Sequence, residues 1–282
     1  MKPTLGILAG GGRLPGQVAA AARAAGRDVF LIGLEGFADP AVLAPWPHEV
    51  VRILAAGRII AALREHGCQD LVLVGPVRRP SLLGLRPDVE GARILARIGR
   101  AAFAGDDGLL AAVVRVFAEE GFRVLGVHEI LAEALGPAGL LSRAGPDAMA
   151  MADIRRGIVV ARALGAVDVG QGCVVQQGIV LAVEAAEGTD AMLARCAELA
   201  WPGPGGVLVK LVKPGQDRRT DLPTIGPETI RAAIAAGLRG VAFEAGGTIL
   251  AQRDTTIAAA DAAGIFLLGL DPDALSERGE ST

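Results

Sequence analysis

Between Leu5 and Val127, short apolar runs alternate with longer stretches of helical character, and that alternation constrains the fold more than any other feature of the chain. Leu5 to Ala9, Val29 to Leu34, Leu71 to Gly75 and Arg123 to Val127 read as buried strands. Leu14 to Ala25, Ile59 to Glu65 and Asp107 to Glu120 read as helices between them. Strand–helix–strand repeated in this way predicts a parallel sheet with helices on both faces.

Residues 134–148 break the rhythm. Gly136-Pro137, Gly139 and Gly145-Pro146 punctuate a stretch with neither period, which is expected as a linker. After a helix from Met149 to Leu164 the pattern changes. Asp168 to Gln176 and Ile179 to Glu184 read as a hairpin turning at Gln177-Gly178, and Val241 to Glu244 with Thr248 to Ala251 as another. Thr189 is expected to cap a helix from Asp190 to Leu199, and Val207 to Val212 is expected as a strand. Pro227 to Ala236 and Thr255 to Ala263 read as helices, and Ile265 to Gly269 as a final strand. The expected fold is therefore α/β in two domains: a Rossmann-like parallel sheet with flanking helices over 1–133, the linker 134–148, and a mixed α/β catalytic domain over 149–282.

Composition removes several function classes. Apolar types make up 51% and mean hydropathy is +0.44, yet no stretch approaches the ~18 uninterrupted apolar residues of a spanning helix. The run Leu5 to Ala9 is stopped too early by Gly10-Gly11-Gly12-Arg13 to be a secretory signal, so a cytoplasmic protein is expected. Cys68, Cys173 and Cys196 are odd in number and form no CxxC, which points to buried free thiols rather than disulfides or a zinc site. A net charge of −3, no Tyr and 3% aromatics argue against nucleic acid as a partner. There is no P-loop, HExxH or nucleophile elbow, and the three histidines are isolated.

Four constellations remain. Gly10-Gly11-Gly12 follows a strand and opens a helix, where glycines let a backbone approach phosphate or sugar closely. It is otherwise a tight structural turn. A nicotinamide site would want G-x-G-x-x-G, and Pro15 stands at the third glycine, although Glu35 ends the next strand where a ribose-binding acid would sit. Gly75-Pro76-Val77-Arg78-Arg79-Pro80 lies at the carboxyl end of a strand, where open sheets bind ligands and Arg79 could hold phosphate. Asp106 and Asp107 stand at a helix start, as caps or as contacts to metal or substrate hydroxyls, and His128 follows a strand. The richest group runs from Glu184 through Thr189 and Asp190 to Lys210, Lys213, Asp221 and Thr224. Hydrolysis of a phosphoanhydride needs this mix: oxygen ligands for a hard cation, lysines for developing charge, a carboxylate for the attacking water. Solvated ion pairs would look the same in sequence.

Taken in order, several segments resemble one family. They are Leu8-Ala9-Gly10-Gly11-Gly12-x-Leu14-Pro15, Gly105-Asp106-Asp107-x-Leu109-Leu110, His128-Glu129, Met151-Ala152-Asp153-Ile154, Asp168-Val169-Gly170-Gln171-Gly172, Ala182-Val183-Glu184-x-x-Glu187-Gly188-Thr189-Asp190-Ala191-Met192-Leu193 and Asp221-Leu222-Pro223-Thr224-Ile225-Gly226. From about Leu5 to Pro272 the chain resembles the UDP-2,3-diacylglucosamine pyrophosphatases of the LpxI type. The last three segments carry most of the specificity.

The resemblance implies two α/β domains with substrate between them, and hydrolysis of UDP-2,3-diacylglucosamine to UMP and 2,3-diacylglucosamine 1-phosphate (lipid X) in lipid A biosynthesis. Water would attack the α phosphorus with Mg2+ or another divalent cation present. Asp221 would be the essential catalytic residue, and Asp221 and Asp190 would hold the metal. Substrate contacts are expected from Gly11, Gly12, Gly75, Arg79, Asp106 and Asp107, from His128, Thr189, Asp190 and Lys210, and from Lys213 and Thr224. Pro76 departs from the family pattern, in which a small polar residue is expected, and this removes a side-chain contact there. A diacylated substrate implies peripheral contact with the inner membrane surface, and a homodimer is expected. The rival readings are an NAD(P)-binding oxidoreductase and a non-catalytic protein that binds lipid or nucleotide sugar.

Overall fold

β1 (Thr4–Ala9) and β2 (Val29–Leu34) are buried along nearly their whole length, as strands covered by helices on both faces must be. They belong to a computed structural model that describes residues 2–77, 89–98, 106–215, 218–219 and 222–277. The chain divides into two compact units between Ala132 and Glu133, with Arg218 and Arg219 grouped with the first.

In the first unit α1 (Leu14–Ala24) connects β1 to β2. α2 (Pro40–Leu43), β3 (His48–Val51), α3 (Ala56–Glu65) and β4 (Cys68–Val74) follow. α4 (Val89–Ile98), α5 (Asp106–Glu119), β5 (Arg123–Leu125) and α6 (Val127–Ile130) complete it. The strands form one parallel sheet in the order β3-β2-β1-β4-β5. On one face Phe30, Ile32 and Leu71 pack against Ile59, Ile60 and Leu63 of α3 and Val114 and Phe117 of α5. Val18 and Ala22 of α1 are buried as well. β3 has no counterpart in the sequence reading, because His48-Glu49-Val50-Val51 is a largely exposed edge strand with polar residues. Val127, expected to end the last strand, instead begins α6.

The second unit is built on a six-stranded sheet in the order β6-β13-β11-β9-β7-β8. Its elements are β6 (Gly139–Leu140), α7 (Ala148–Ala166), β7 (Gly172–Gln176), β8 (Ile179–Val183), α8 (Gly188–Leu199) and β9 (Val207–Lys210). Then come β10 (Thr224–Ile225), α9 (Pro227–Ala235), β11 (Gly240–Glu244), β12 (Ile249–Leu250), α10 (Arg253–Ala263), β13 (Phe266–Leu270) and α11 (Pro272–Glu277). β9, β11 and β13 are mutually parallel, whereas β7, β8 and β6 run antiparallel to their neighbours. One face carries Val174, Leu208, Val241 and Leu267 against α8, α9 and α10. The other carries Cys173, Val175, Val207 and Val209 against Ala150, Ile154 and Ile158 of α7.

The β7–β8 hairpin turns at Gln177 (φ 52°) and Gly178 (φ 79°), the backbone that a two-residue hairpin turn requires. The buried carboxylate of Asp153 accepts from the amides of both, at 3.1 and 2.6 Å. Asp153 thus anchors the turn from α7. The second expected hairpin is not formed. β11 pairs with β9 and β13, and β12 pairs in parallel with β10 as a separate two-stranded sheet. Gly246 (φ 66°) looks like a hairpin turn in sequence, but burial of Val241 and Phe243 in mid-sheet wins the register. The stretch 134–148, expected as a linker, contributes β6 to the sheet edge and groups with the second unit. Ser142 receives the Leu267 amide at 2.7 Å, which ties this stretch to β13.

Candidate active site

In the first unit the chain runs from β1 outward to β2 and β3, then returns to the other side of β1 as β4 and β5. Loops leaving the carboxyl ends of β1 and β4 therefore part at the reversal point, where open parallel sheets bind ligands. Gly10-Gly11-Gly12 and Gly75 stand there, as read from sequence. Their glycines answer a packing need as well as any ligand. The Gly10 amide donates to Val74 at 2.8 Å and the Gly11 amide to Pro76 at 2.9 Å. A Cβ on Gly10 would lie 2.4 Å from the Gly75 carbonyl oxygen, and one on Gly75 would lie 2.4 Å from that of Gly11. Gly12 is different: its φ of 75° demands glycine, and the space around it is open.

His128 sits in α6 at the carboxyl end of β5, on the same sheet edge. Its Nδ1 is buried without a hydrogen-bond partner among the described residues. The ring folds back over Gly126, where a Cβ would meet it at 2.3 Å. Asp106 and Asp107 open α5, but their side chains fall outside the described residues, as does all of Arg79.

The second unit places charge where the first places backbone. Lys210 ends β9 and pairs with Gly172, the first residue of β7, and Glu184 follows the last residue of β8. Lys210 Nζ donates to the Thr189 hydroxyl at 2.8 Å, and that hydroxyl donates to Glu184 Oε1 at 2.5 Å. Lys210 and Glu184 are both buried, and the ammonium stands 3.9 Å from Oε1. Oε2 of Glu184 is buried with no partner among the described residues. Nearby in sequence, Lys213 Nζ donates to Asp168 Oδ1 at 2.7 Å, and Asp168 holds an unusual left-handed φ of 53°.

Thr189 is therefore not the helix cap it was expected to be. Glu187 occupies that position, and Thr189 turns its hydroxyl to Glu184 and Lys210. Asp190 is exposed in the first turn of α8. Glu187 is bound to Arg195 at 2.5 Å; a hydrogen bond from its own backbone amide, and then Arg195, hold its carboxyl below the ordinary range. Thr224 lies exposed in β10 with its hydroxyl turned to the Leu222 carbonyl at 3.4 Å. Asp221 lies outside the described residues. Of the residues expected from sequence, the structure joins Thr189 to Lys210 directly. It adds Glu184, to which the sequence alone gives no specific role, and Asp168 as the partner of Lys213. The Gly170-Gln171-Gly172 spacing carried the missed signal. A Cβ at Gly172 would sit 2.8 Å from Glu184 Oε2, and one at Gly170 2.0 Å from the Glu184 carbonyl oxygen.

Family comparison matches both units over nearly their full extent. Residues 4–134 match the LpxI N-terminal domain and residues 137–268 the LpxI C-terminal domain. The chain belongs to the LpxI family. It is similar, at 46% identity over 274 residues, to the UDP-2,3-diacylglucosamine pyrophosphatase LpxI of Caulobacter vibrioides, covering 95% of this chain and 98% of that protein. The glycine turn thus lies in the family's N-terminal domain, and the Glu184–Thr189–Lys210 group lies in its C-terminal domain.

Proposed function

We propose that this protein hydrolyses the pyrophosphate of UDP-2,3-diacylglucosamine, giving UMP and 2,3-diacylglucosamine 1-phosphate (lipid X) in lipid A biosynthesis. The observation that carries this reading is the 46% identity to the Caulobacter pyrophosphatase, which extends over nearly all of both chains. The Lys210 group supports it chemically. A buried ammonium that uses one N–H on Thr189 has others to offer phosphate oxygens, and such donors are worth most where water is excluded.

A Mg2+ ion is part of this proposal. Such ions take one or two carboxylates and complete their shell with substrate phosphate and water. Among the described residues no three His, Cys, Asp or Glu side chains converge as a metal cage. The unpaired, buried Glu184 oxygen beside Thr189 shows that an oxygen acceptor is available there. Asp190 and Asp221 are the carboxylates that the family resemblance implies as holders of such a cation. When bound, it supplies Lewis-acid polarisation of the phosphoryl group and a lowered pKa for water. The protein's own groups do the rest. Thr189 fixes the direction of Lys210, Lys210 meets the charge that grows on phosphate oxygens, and Asp221 orients or deprotonates water at the α phosphorus. No described helix is long and apolar enough to cross a membrane, and the two acyl chains of the substrate call for peripheral contact at the inner membrane surface.

The test is incubation of the protein with UDP-2,3-diacylglucosamine and Mg2+, with and without EDTA, in 18O-enriched water. Metal-dependent UMP carrying the label, beside unlabelled lipid X, is expected. Label in lipid X would move the attack to the other phosphorus, and bound but unconverted substrate would leave a binding protein. Asp221→Ala is expected to slow turnover by about 10²–10⁴-fold.

A further inference from the structure

We propose that Glu184 is a positioning residue for Lys210: acting through the Thr189 hydroxyl, it holds the ammonium so that its remaining N–H groups meet phosphate oxygens. The proposal rests on the hydrolase reading above and adds a residue which that reading does not use. The order of the chain follows from what each group can do. An ammonium only donates and an ionised carboxylate only accepts, so a hydroxyl between them must accept from one and donate to the other. Lys210 Nζ donates to Thr189 Oγ1 at 2.8 Å, and Thr189 donates to Glu184 Oε1 at 2.5 Å. Glu184 thus takes the hydroxyl's proton and turns its lone pairs toward Lys210. This engages one N–H of the ammonium and leaves the others for an anion.

The arrangement differs from a purely structural ion pair. Asp70 bonds the guanidinium groups of Arg27 and Arg123 directly, whereas Glu184 stands 3.9 Å from the Lys210 ammonium with the hydroxyl between them. Lys210 and Glu184 are 4% and 7% exposed, and each compensates the other's charge in that setting. The other described carboxylates nearby are engaged elsewhere, Glu187 with Arg195 and Asp168 with Lys213. The backbone fixes Glu184 in turn. Its amide donates to the Gly172 carbonyl at 2.8 Å. A Cβ on Gly170 would lie 2.0 Å from the Glu184 carbonyl oxygen, and one on Gly172 would lie 2.8 Å from Oε2 and 3.3 Å from Lys210 Cγ. Gly172 thus lets the lysine stem and the carboxylate pack over the same point of β7. A lysine on its flexible stem would otherwise sample several rotamers, and donors fixed before the substrate arrives stabilise developing charge without reorganising.

The experiment joins steady-state kinetics on UDP-2,3-diacylglucosamine to 1H–15N NMR of the lysine ammonium groups in the full-length protein. The Lys210 signal is assigned by its loss in Lys210→Met. A slowly exchanging Lys210 signal is expected in the wild type. Glu184→Gln and Thr189→Val are each expected to broaden it away and to lower kcat by about 10–100-fold, with KM changed by less than about threefold. Thr189→Ser, which returns the hydroxyl, is expected to restore the signal and at least about tenfold of the kcat lost in Thr189→Val. Because Glu184 acts through its two partners, adding Glu184→Gln to Thr189→Val or to Lys210→Met is expected to lower kcat by less than about twofold further. Thermal melts confirm that each variant is folded, and Glu184→Asp, which keeps the charge but shortens the reach, replaces Glu184→Gln if the latter is not. A Lys210 signal absent from the wild type or unchanged by substitution of Glu184 overturns the proposal, as do additive losses of kcat in the double variants. A Glu184-dependent signal without turnover by the wild type supports the positioning of Lys210 and sinks the hydrolase reading. Turnover with signal and kcat both indifferent to Glu184 sinks the positioning role alone.

Discussion

The two units treat buried charge in opposite ways. Among the described residues of the first unit, the buried charged side chains are Arg27 and Asp70, and both lie toward the amino ends of the strands. Asp70 bonds Arg27 and also Arg123, the latter at 2.7 and 2.8 Å, while Arg27 donates to the Pro3 carbonyl at 2.9 Å. The carboxyl edge of that sheet is built instead from interlocked glycine backbone. In the second unit, Glu184, Lys210 and Lys213 gather near the carboxyl end of β9. The ion group at the amino edge is fully paired and ties strands together; the one at the carboxyl edge leaves Glu184 Oε2 without a partner among the described residues. Burial alone therefore does not mark a functional charge.

Asp70→Asn should produce the largest change in stability. It removes one partner of a buried pair, at a cost of about 3–5 kcal/mol, and leaves the kcat of the folded protein unchanged. Denaturant unfolding beside a turnover assay checks both halves, and lost kcat would break the contrast between the edges. Burial pushes the Asp70 carboxyl up, but hydrogen bonds from Arg123 and Arg27 outweigh it and hold the group below the usual range. Its stabilisation is therefore present above the unfolded pKa of roughly 3.9 and is lost as pH falls through the lower folded value. The variant should lack that acid-side loss.

Lys210→Met comes next, lowering kcat by about 10²–10³-fold, or about 2.7–4 kcal/mol. A change confined to KM would mean that Lys210 binds ground state and transition state alike. Gly10→Ala should cost about 1–3 kcal/mol, because its methyl would press on the Gly75 carbonyl; a neutral result in thermal melts would show that the two loops can part. The smallest effect concerns the thiols. Burial pushes Cys68 up to about 11 and Cys173 up to about 12, and raises Cys196 as well. Mass spectrometry after iodoacetamide at pH 8 should find all three unmodified in the folded protein and alkylated in denaturant. Modification of Cys173, in β7, would reveal opening of the second sheet.

Much of this was legible in sequence where period and burial agree. β1, β2, α1 and the β7–β8 hairpin follow from runs whose local preference matches their burial. Thr189 was misread because a hydroxyl at a helix start ordinarily caps it; here Lys210, 21 residues on, competes for that hydroxyl and wins. The separation of β11 from β12 was illegible for a related reason. Local turn chemistry favours a hairpin around Gly246, and only the neighbouring strands β9 and β13 supply partners that bury Val241 and Phe243 more fully.

The sequence by itself determined the α/β class, the change of architecture near residue 134, the buried thiols and, through its ordered motifs, the family. These rest on local period or on strings of neighbouring residues, which a chain displays without being folded. Tertiary structure alone decided which charges are structural and which stand at a sheet edge, that 134–148 completes a sheet, and that Gly172 makes room for Glu184. Those facts depend on contacts between residues far apart in the chain, and the hydrogen bonds that satisfy or leave unsatisfied a buried oxygen exist only once the strands are in register.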